Sequence, residues 1–191
     1  STSRRQRQMC IRDSSQTVHA FDVLCYKGLI MIHDKRYIDI VEERILEPGK
    51  KAPRIYIRSE HLGETAGTYG MAVDEQSGLL YSTHPSKRID IFPPDAIREG
   101  VTFKRVDQLT YANIPYALDF YEGRLFVSSN GKEKFCEVDP VTGEILKDYT
   151  VVGDVTLQVP EKFCIRRNTL FMIDRTKSGA CIYTIPMNEL N

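Results

Sequence analysis

The chain has 191 residues, 41% of them hydrophobic, with 26 Lys and Arg set against 26 Asp and Glu. That size and apolar content suit one soluble globular domain with a sizeable core. The balanced charge argues against broad electrostatic binding to nucleic acid or to an anionic membrane, and no apolar run approaches the roughly 20 residues needed for membrane insertion.

Residues 1–14, STSRRQRQMCIRDS, have no apolar period and crowd arginine with glutamine. They are expected to be a disordered or non-native tail, leaving about 177 residues, 15–191, for the folded domain. The run from Arg4 to Ser14 also resembles translated sequencing-adapter read-through in gene models assembled from environmental DNA. That resemblance implies that Arg4, Arg5 and Arg7 are neither a nucleic-acid arm nor a localisation signal, and it removes Cys10 from the cysteine inventory. An ordinary disordered basic tail is the other reading. Cys25, Cys136, Cys164 and Cys181 stand singly in apolar stretches without a C-x-x-C pair, so neither a zinc knuckle nor a disulfide framework is expected. Buried free thiols follow, and they favour a cytoplasmic setting; if the true start is missing, a signal peptide is missing with it.

From Val18 onward one pattern recurs. A turn residue precedes an apolar pair at Gly28 (Ile30-Met31), Gly78 (Leu80-Tyr81), Gly123 (Leu125-Phe126) and Asn168 (Leu170-Phe171), so the pairs begin at 30, 80, 125 and 170. A β-rich run comes before each pair: HAFDVLC, GMAVD, YALDF and KFCI. Another comes after it: YIDIV from Tyr37, RIDIF from Arg88, KFCEV from Lys134 and ACIYTI from Ala180. Alternating β-branched or aromatic residues bounded by Gly, Pro, Asn and Asp mark these runs as half-buried strands. PRIYIRS from Pro53, VTFKRVDQL from Val101 and EILKDYTVV from Glu144 supply a fourth strand to the first three units. Repeats of 45 to 50 residues with four short strands each are the signature of propeller blades.

The expected fold is therefore an all-β β-propeller of about four blades of four-stranded antiparallel sheets, with units near 18–60, 66–110, 115–153 and 160–191. DPVTGEI from Asp139 should turn between third and fourth strands, and EPGKKAP from Glu47 should carry the five extra residues of the first unit as a loop. The fourth unit lacks a candidate outer strand, which predicts an incomplete ring with blades missing upstream; a closed four-bladed ring is the alternative.

The residues GMAVDEQSGLLYSTHPSKRIDIFPP resemble an NHL repeat through Gly70, Ala72, Val73, Asp74, Gly78, Tyr81, Arg88, Ile89 and Phe92. The third unit resembles the wider lactonase-like propellers through Ala117, Asp119, Gly123, Leu125 and Phe126. The NHL likeness implies a non-catalytic binding platform for a protein, peptide or small molecule at the channel face, without a cofactor. The related gluconolactonase group implies the alternative, a metal-dependent lactonase or esterase whose divalent cation is held at the channel mouth by Glu, Asn and Asp. At the corresponding inner-strand starts this chain has His19, Tyr69, Tyr116 and Glu161, so only Glu161 could be a metal ligand.

Those four positions suit ligand binding through aromatic rings with polar tips, or a channel plugged by Tyr69 and Tyr116. His84, Asn130 and Asp174 follow the second strands of units two, three and four and join the candidate set, although Asn130-Gly131 also reads as a turn and His84 as a solvated loop residue. No Ser-His-Asp order and no phosphate-cradling glycine loop is present. Lys87-Arg88, Lys104-Arg105 and Arg166-Arg167 read as charged blade edges that discourage strand addition.

Overall fold

A computed structural model describes residues 20–34, 38–42, 55–57, 69–84, 86–93, 107–110, 113–129 and 135–190. Three four-stranded antiparallel sheets follow one another along the chain. The first contains β1 (Ala20–Tyr26), β2 (Leu29–Asp34), β3 (Ile38–Glu42) and β4 (Ile55–Ile57). The second contains β5 (Met71–Val73), β6 (Leu80–His84), β7 (Arg88–Phe92) and β8 (Asp107–Thr110). The third contains β9 (Pro115–Tyr121), β10 (Arg124–Ser129), β11 (Phe135–Val138) and β12 (Ile145–Tyr149). A short hairpin, β13 (Val151–Val152) with β14 (Val155–Thr156), leads to a three-stranded sheet of β15 (Pro160–Arg166), β16 (Thr169–Thr176) and β17 (Gly179–Pro186).

Turn chemistry explains the spacing. In the first, third and fourth units two residues join the first two strands, and both adopt positive φ: Lys27 and Gly28 (47° and 77°), Glu122 and Gly123 (50° and 76°), Arg167 and Asn168 (49° and 63°). Such a turn matches the twist of the strands it joins, and Gly or Asn tolerates it best. The second unit uses a longer Asp-x-x-Ser-Gly turn, in which Asp74 accepts the Ser77 hydroxyl at 2.6 Å while Gly78 N–H bonds the Asp74 carbonyl at 2.7 Å. The same device, Asp-x-x-Thr-Gly, closes the third and fourth strands of unit three, where Asp139 accepts the N–H groups of Val141 and Thr142 at 2.7 and 2.8 Å. DPVTGEI is thus the turn that the sequence led one to expect, and the loop from Glu47 lies outside the described residues.

Packing between sheets is governed by the apolar pairs. Ile30, Leu80, Leu125 and Leu170 sit opposite Cys25, Val73, Phe120 and Ile165 on the first strands, and their neighbours Met31, Tyr81, Phe126 and Phe171 sit opposite Leu24, Ala72, Asp119 and Cys164. Side chains alternate across a strand, so the first set faces the preceding blade and the second set the following one. Three cores result. Met31 and Leu24 pack with Leu80 and Val73; Tyr81 and Ala72 with Leu125 and Phe120; and Phe126 and Tyr149 with Leu170 and Ile165. Asp119 takes part at the third junction through its carboxylate, which accepts Ile165 N–H at 2.7 Å.

Two expectations need correction. EILKDYTVV is not one outer strand: it breaks after Tyr149, and Val152 and Leu157 turn into the core between blades three and four. Nor are all the cysteines buried: Cys136 is, but Cys25 and Cys164 are exposed. Cys25 lies on the rear of the first blade, opposite the buried Ile30, and Cys164 on the front of the fourth, opposite the exposed Phe171.

Gly70 sets the spacing of the second and third inner strands. A Cβ there would lie 2.8 Å from Ala117 Cα and from the Tyr116 carbonyl oxygen, whereas one at Gly28 would meet nothing within 4 Å. Gly70→Ala is therefore expected to destabilise the chain by about 1–3 kcal/mol by forcing two strands apart, and Gly28→Ala by about 1 kcal/mol through its backbone angle alone. Urea midpoints of the two variants check the order, and equal losses would contradict the close approach.

Candidate functional site at the inner-strand starts

The inner strands β1, β5, β9 and β15 place equivalent residues side by side near their starts. Opposite or beside the third residue after each pair's first member stand Asp22, Gly70, Ala117 and Lys162. Two are small and two carry charge. Bulges in the first strands of units one, three and four re-aim the side chains just there.

Polar residues on the second strands anchor the incoming backbone. Thr83 Oγ1 accepts the N–H groups of Tyr69 and Gly70 at 2.9 and 3.0 Å. Ser128 Oγ accepts Ala117 N–H at 3.1 Å and donates to the Glu161 carbonyl at 2.5 Å. Asp174, wholly buried, accepts the N–H groups of Gln158 and Val159, the latter at 2.6 Å. These bonds hold the strand starts in fixed positions around the axis.

With the backbone so fixed, the Tyr69 and Tyr116 rings stack with centroids 4.7 Å apart. Lys162 reaches in from the fourth blade: its ammonium donates to the Tyr69 carbonyl, lies 5.5 Å from the Tyr116 ring centre, and stands 3.8 Å from Asp22 Oδ1 of the first blade. Asp22 also accepts Met71 N–H at 2.8 Å, so one carboxylate joins three blades. Next to Lys162, Glu161 pairs with Arg175 at 3.2 Å at the more exposed rim.

Burial dominates the electrostatics. It raises the Asp22 carboxyl, against the opposing pull of Lys162, and lowers the Lys162 ammonium, against Asp22. At 3.8 Å the attraction does not offset removal of either charge from water. Burial, with smaller contributions from Glu161 and Tyr69, raises the Tyr116 phenol. Below the pair His33 is fully buried, its Nε2 3.4 Å from Ser82 Oγ; desolvation, and secondarily Lys162, lower it to about 3.

Of the sequence-based candidates, Tyr69, Tyr116 and Glu161 come together here. Asp174 belongs to the strand anchor. His84 closes β6, buried, with its Nδ1 accepting Ser86 N–H at 3.1 Å. His19 and Asn130 lie outside the described residues. Sequence reasoning missed Lys162, Asp22 and Arg175. Aligning the inner strands on their apolar pairs could have found the first two, because that alignment sets two charges against a glycine and an alanine at one position. Among the described residues no group of three or more His, Cys, Asp or Glu side chains could hold a metal ion, and no helix is long and apolar enough to cross a membrane.

No protein-family model and no curated sequence matches this chain. Solved structures do. The WD40 domain of Pan2 from Neurospora crassa superposes with a TM-score of 0.61 at 10% identity, over 90% of this chain and 50% of that one. WD40 domains are propellers. The fold is a β-propeller. Glutaminyl cyclase from Myxococcus xanthus matches with a TM-score of 0.62 at 11% identity, over 88% of this propeller and 72% of that chain. A Bacteroides caccae protein of unknown function gives 0.59 at 10% identity, over 84% and 60%. The propeller thus spans half the length of the Pan2 domain, and at such identities the likeness speaks to fold alone.

His33 yields a pH prediction. Its folded pKa near 3 lies below the ordinary 6.5, so the unfolded chain binds the extra proton between those values. Stability contributed by the neutral ring is present above pH 6.5 and is lost as pH falls towards 3, at up to about 1.4 kcal/mol per pH unit. Denaturant titrations of the parent and His33→Gln between pH 7 and 4 should show a shallower slope in the variant; parallel slopes would contradict a buried neutral ring.

Proposed function

We propose that this propeller is a non-catalytic recognition platform of the NHL-like kind, taking a peptide, a protein segment or a small organic ligand at its channel face. The observation that carries this reading is the stacked Tyr69–Tyr116 pair, half-buried and flanked by Lys162, Glu161 and Arg175. Flat rings beside charges of both signs suit a ligand with an apolar body and a polar end. The backbone anchors at Thr83 and Ser128 hold this arrangement ready, which lowers the ordering cost of binding.

The alternative is a metal-dependent lactonase or esterase with Glu161 as a cation ligand. Here the Glu161 carboxylate is engaged by Arg175, so a cation would have to displace a guanidinium; that favours the platform.

Thermal-shift measurements against an arrayed peptide library and against calcium, manganese and zinc separate the readings, since a ligand bound only by the native state raises its stability. Peptides that raise Tm in the parent should bind about tenfold or more weakly to Tyr116→Ala. A shift given by a divalent cation alone and lost in Glu161→Gln would overturn the platform in favour of the hydrolase.

A further inference from the structure

Among the described residues three lysines lie over tyrosine rings: Lys27 over Tyr26 at 4.9 Å, Lys147 over Tyr149 at 5.1 Å and Lys162 over Tyr116 at 5.5 Å. Lys27 and Lys147 are exposed. Lys162 differs: its side chain is 30% exposed, its Nζ donates to the Tyr69 carbonyl, and Asp22 Oδ1 stands 3.8 Å away. Asp22 is itself pinned, accepting Val23 N–H through Oδ1 at 3.1 Å and Met71 N–H through Oδ2 at 2.8 Å.

At 3.8 Å the Asp22 carboxyl is too far from Nζ for a hydrogen bond, yet near enough to reach a hydroxyl on a carbon that the amine has joined. A desolvated lysine, a fixed carboxyl just beyond bonding reach and a flat ring alongside are the groups an amine needs to condense with a carbonyl compound. Burial adds to this. It holds the Lys162 ammonium below the ordinary lysine range and the Asp22 carboxyl above the ordinary carboxylate range, so the amine gives up its proton, and the acid keeps one, more readily than in water. The stacked Tyr69 and Tyr116 rings select the carbonyl's substituent, because aromatic faces prefer a flat apolar partner.

We propose that this face captures an aromatic aldehyde as an imine on Lys162, with the aldehyde's ring against Tyr116 and Asp22 carrying the protons. This capture rests on the ligand platform proposed above and adds a reversible bond to it. The Nζ lone pair attacks the carbonyl carbon, the C=O pair moves to oxygen, and one amine proton passes to that oxygen, giving a carbinolamine. Asp22 then protonates the hydroxyl, which leaves as water, and its carboxylate takes the remaining proton from nitrogen as C=N forms. Amine and aldehyde thus give imine and water with no change of oxidation state, and hydrolysis releases the aldehyde by the same steps reversed.

The test incubates the whole chain with benzaldehyde or propanal, reduces it with cyanoborohydride, and locates the alkylated lysines by mass spectrometry of the digest. Benzaldehyde should mark Lys162 ahead of Lys27 and Lys147, propanal should show less of that preference, and Tyr116→Ala should lose it. Asp22→Asn, which keeps an acceptor for Met71 N–H, should slow the marking of Lys162 by about a hundredfold, the lower end for a positioned acid. Lys162→Arg, checked for folding by circular dichroism, should no longer gain Tm from benzaldehyde. Lysines marked in proportion to their exposure, or an unchanged rate in Asp22→Asn, would overturn the proposal. A Tm rise with benzyl alcohol but no benzaldehyde adduct at Lys162 would overturn the imine while leaving the platform standing.

Discussion

Two neighbouring apolar residues on a strand point to opposite sides of a sheet, and everything else in this molecule follows from placing such a pair in the second strand of every repeat. A single four-stranded sheet with grease on both faces cannot bury itself. Each fully buried side chain such as Leu80, Leu125 or Phe126 contributes on the order of 1.5–3 kcal/mol, but only when a neighbouring blade covers it. Stability is therefore held between blades more than within them, as in other repeat architectures.

The same constraint assembles the face at the inner-strand starts. Sheets stacked through their faces set their first strands side by side, and equivalent residues meet at the axis. Gly70 and Ala117 leave room there, and Lys162 crosses it to Asp22 and to the Tyr69 carbonyl. With burial opposing both charges, this pair does little for net stability. Its effect is positional: it ties the fourth blade to the first and second and holds an ammonium against the Tyr116 ring.

The blade pattern was legible in the sequence because turns and apolar pairs are local signals. Gly28, Gly123 and Asn168 mark hairpins by their backbone needs, and the pairs at Leu80, Leu125 and Leu170 mark strands by alternation. Tyr69, Tyr116 and Glu161 could be placed at one face because strand starts share an end. What stayed hidden depends on contacts between distant units. Lys162 matters through residues 93 and 140 positions away, a relation no local window contains. Asp174 looks like a loop acid until its backbone partners at Gln158 and Val159 are known. Whether a cysteine is buried turns on contacts between blades, not on the stretch around it: Cys136 lies in the core shared by the second and third blades, whereas Cys164 belongs to none of the cores among the described residues.

The most direct test of blade-to-blade alternation is a set of double-mutant cycles on adjacent residues Leu125 and Phe126. Leu125 shares a core with Ile91 of the second blade, and Phe126 with Leu170 of the fourth. Unfolding free energies of the single and double alanine variants should show coupling of about 0.5–3 kcal/mol for Leu125 with Ile91 and for Phe126 with Leu170, and additivity within about 0.5 kcal/mol for the crossed pairs. Strong coupling of Leu125 to Leu170, or of Phe126 to Ile91, would contradict the architecture.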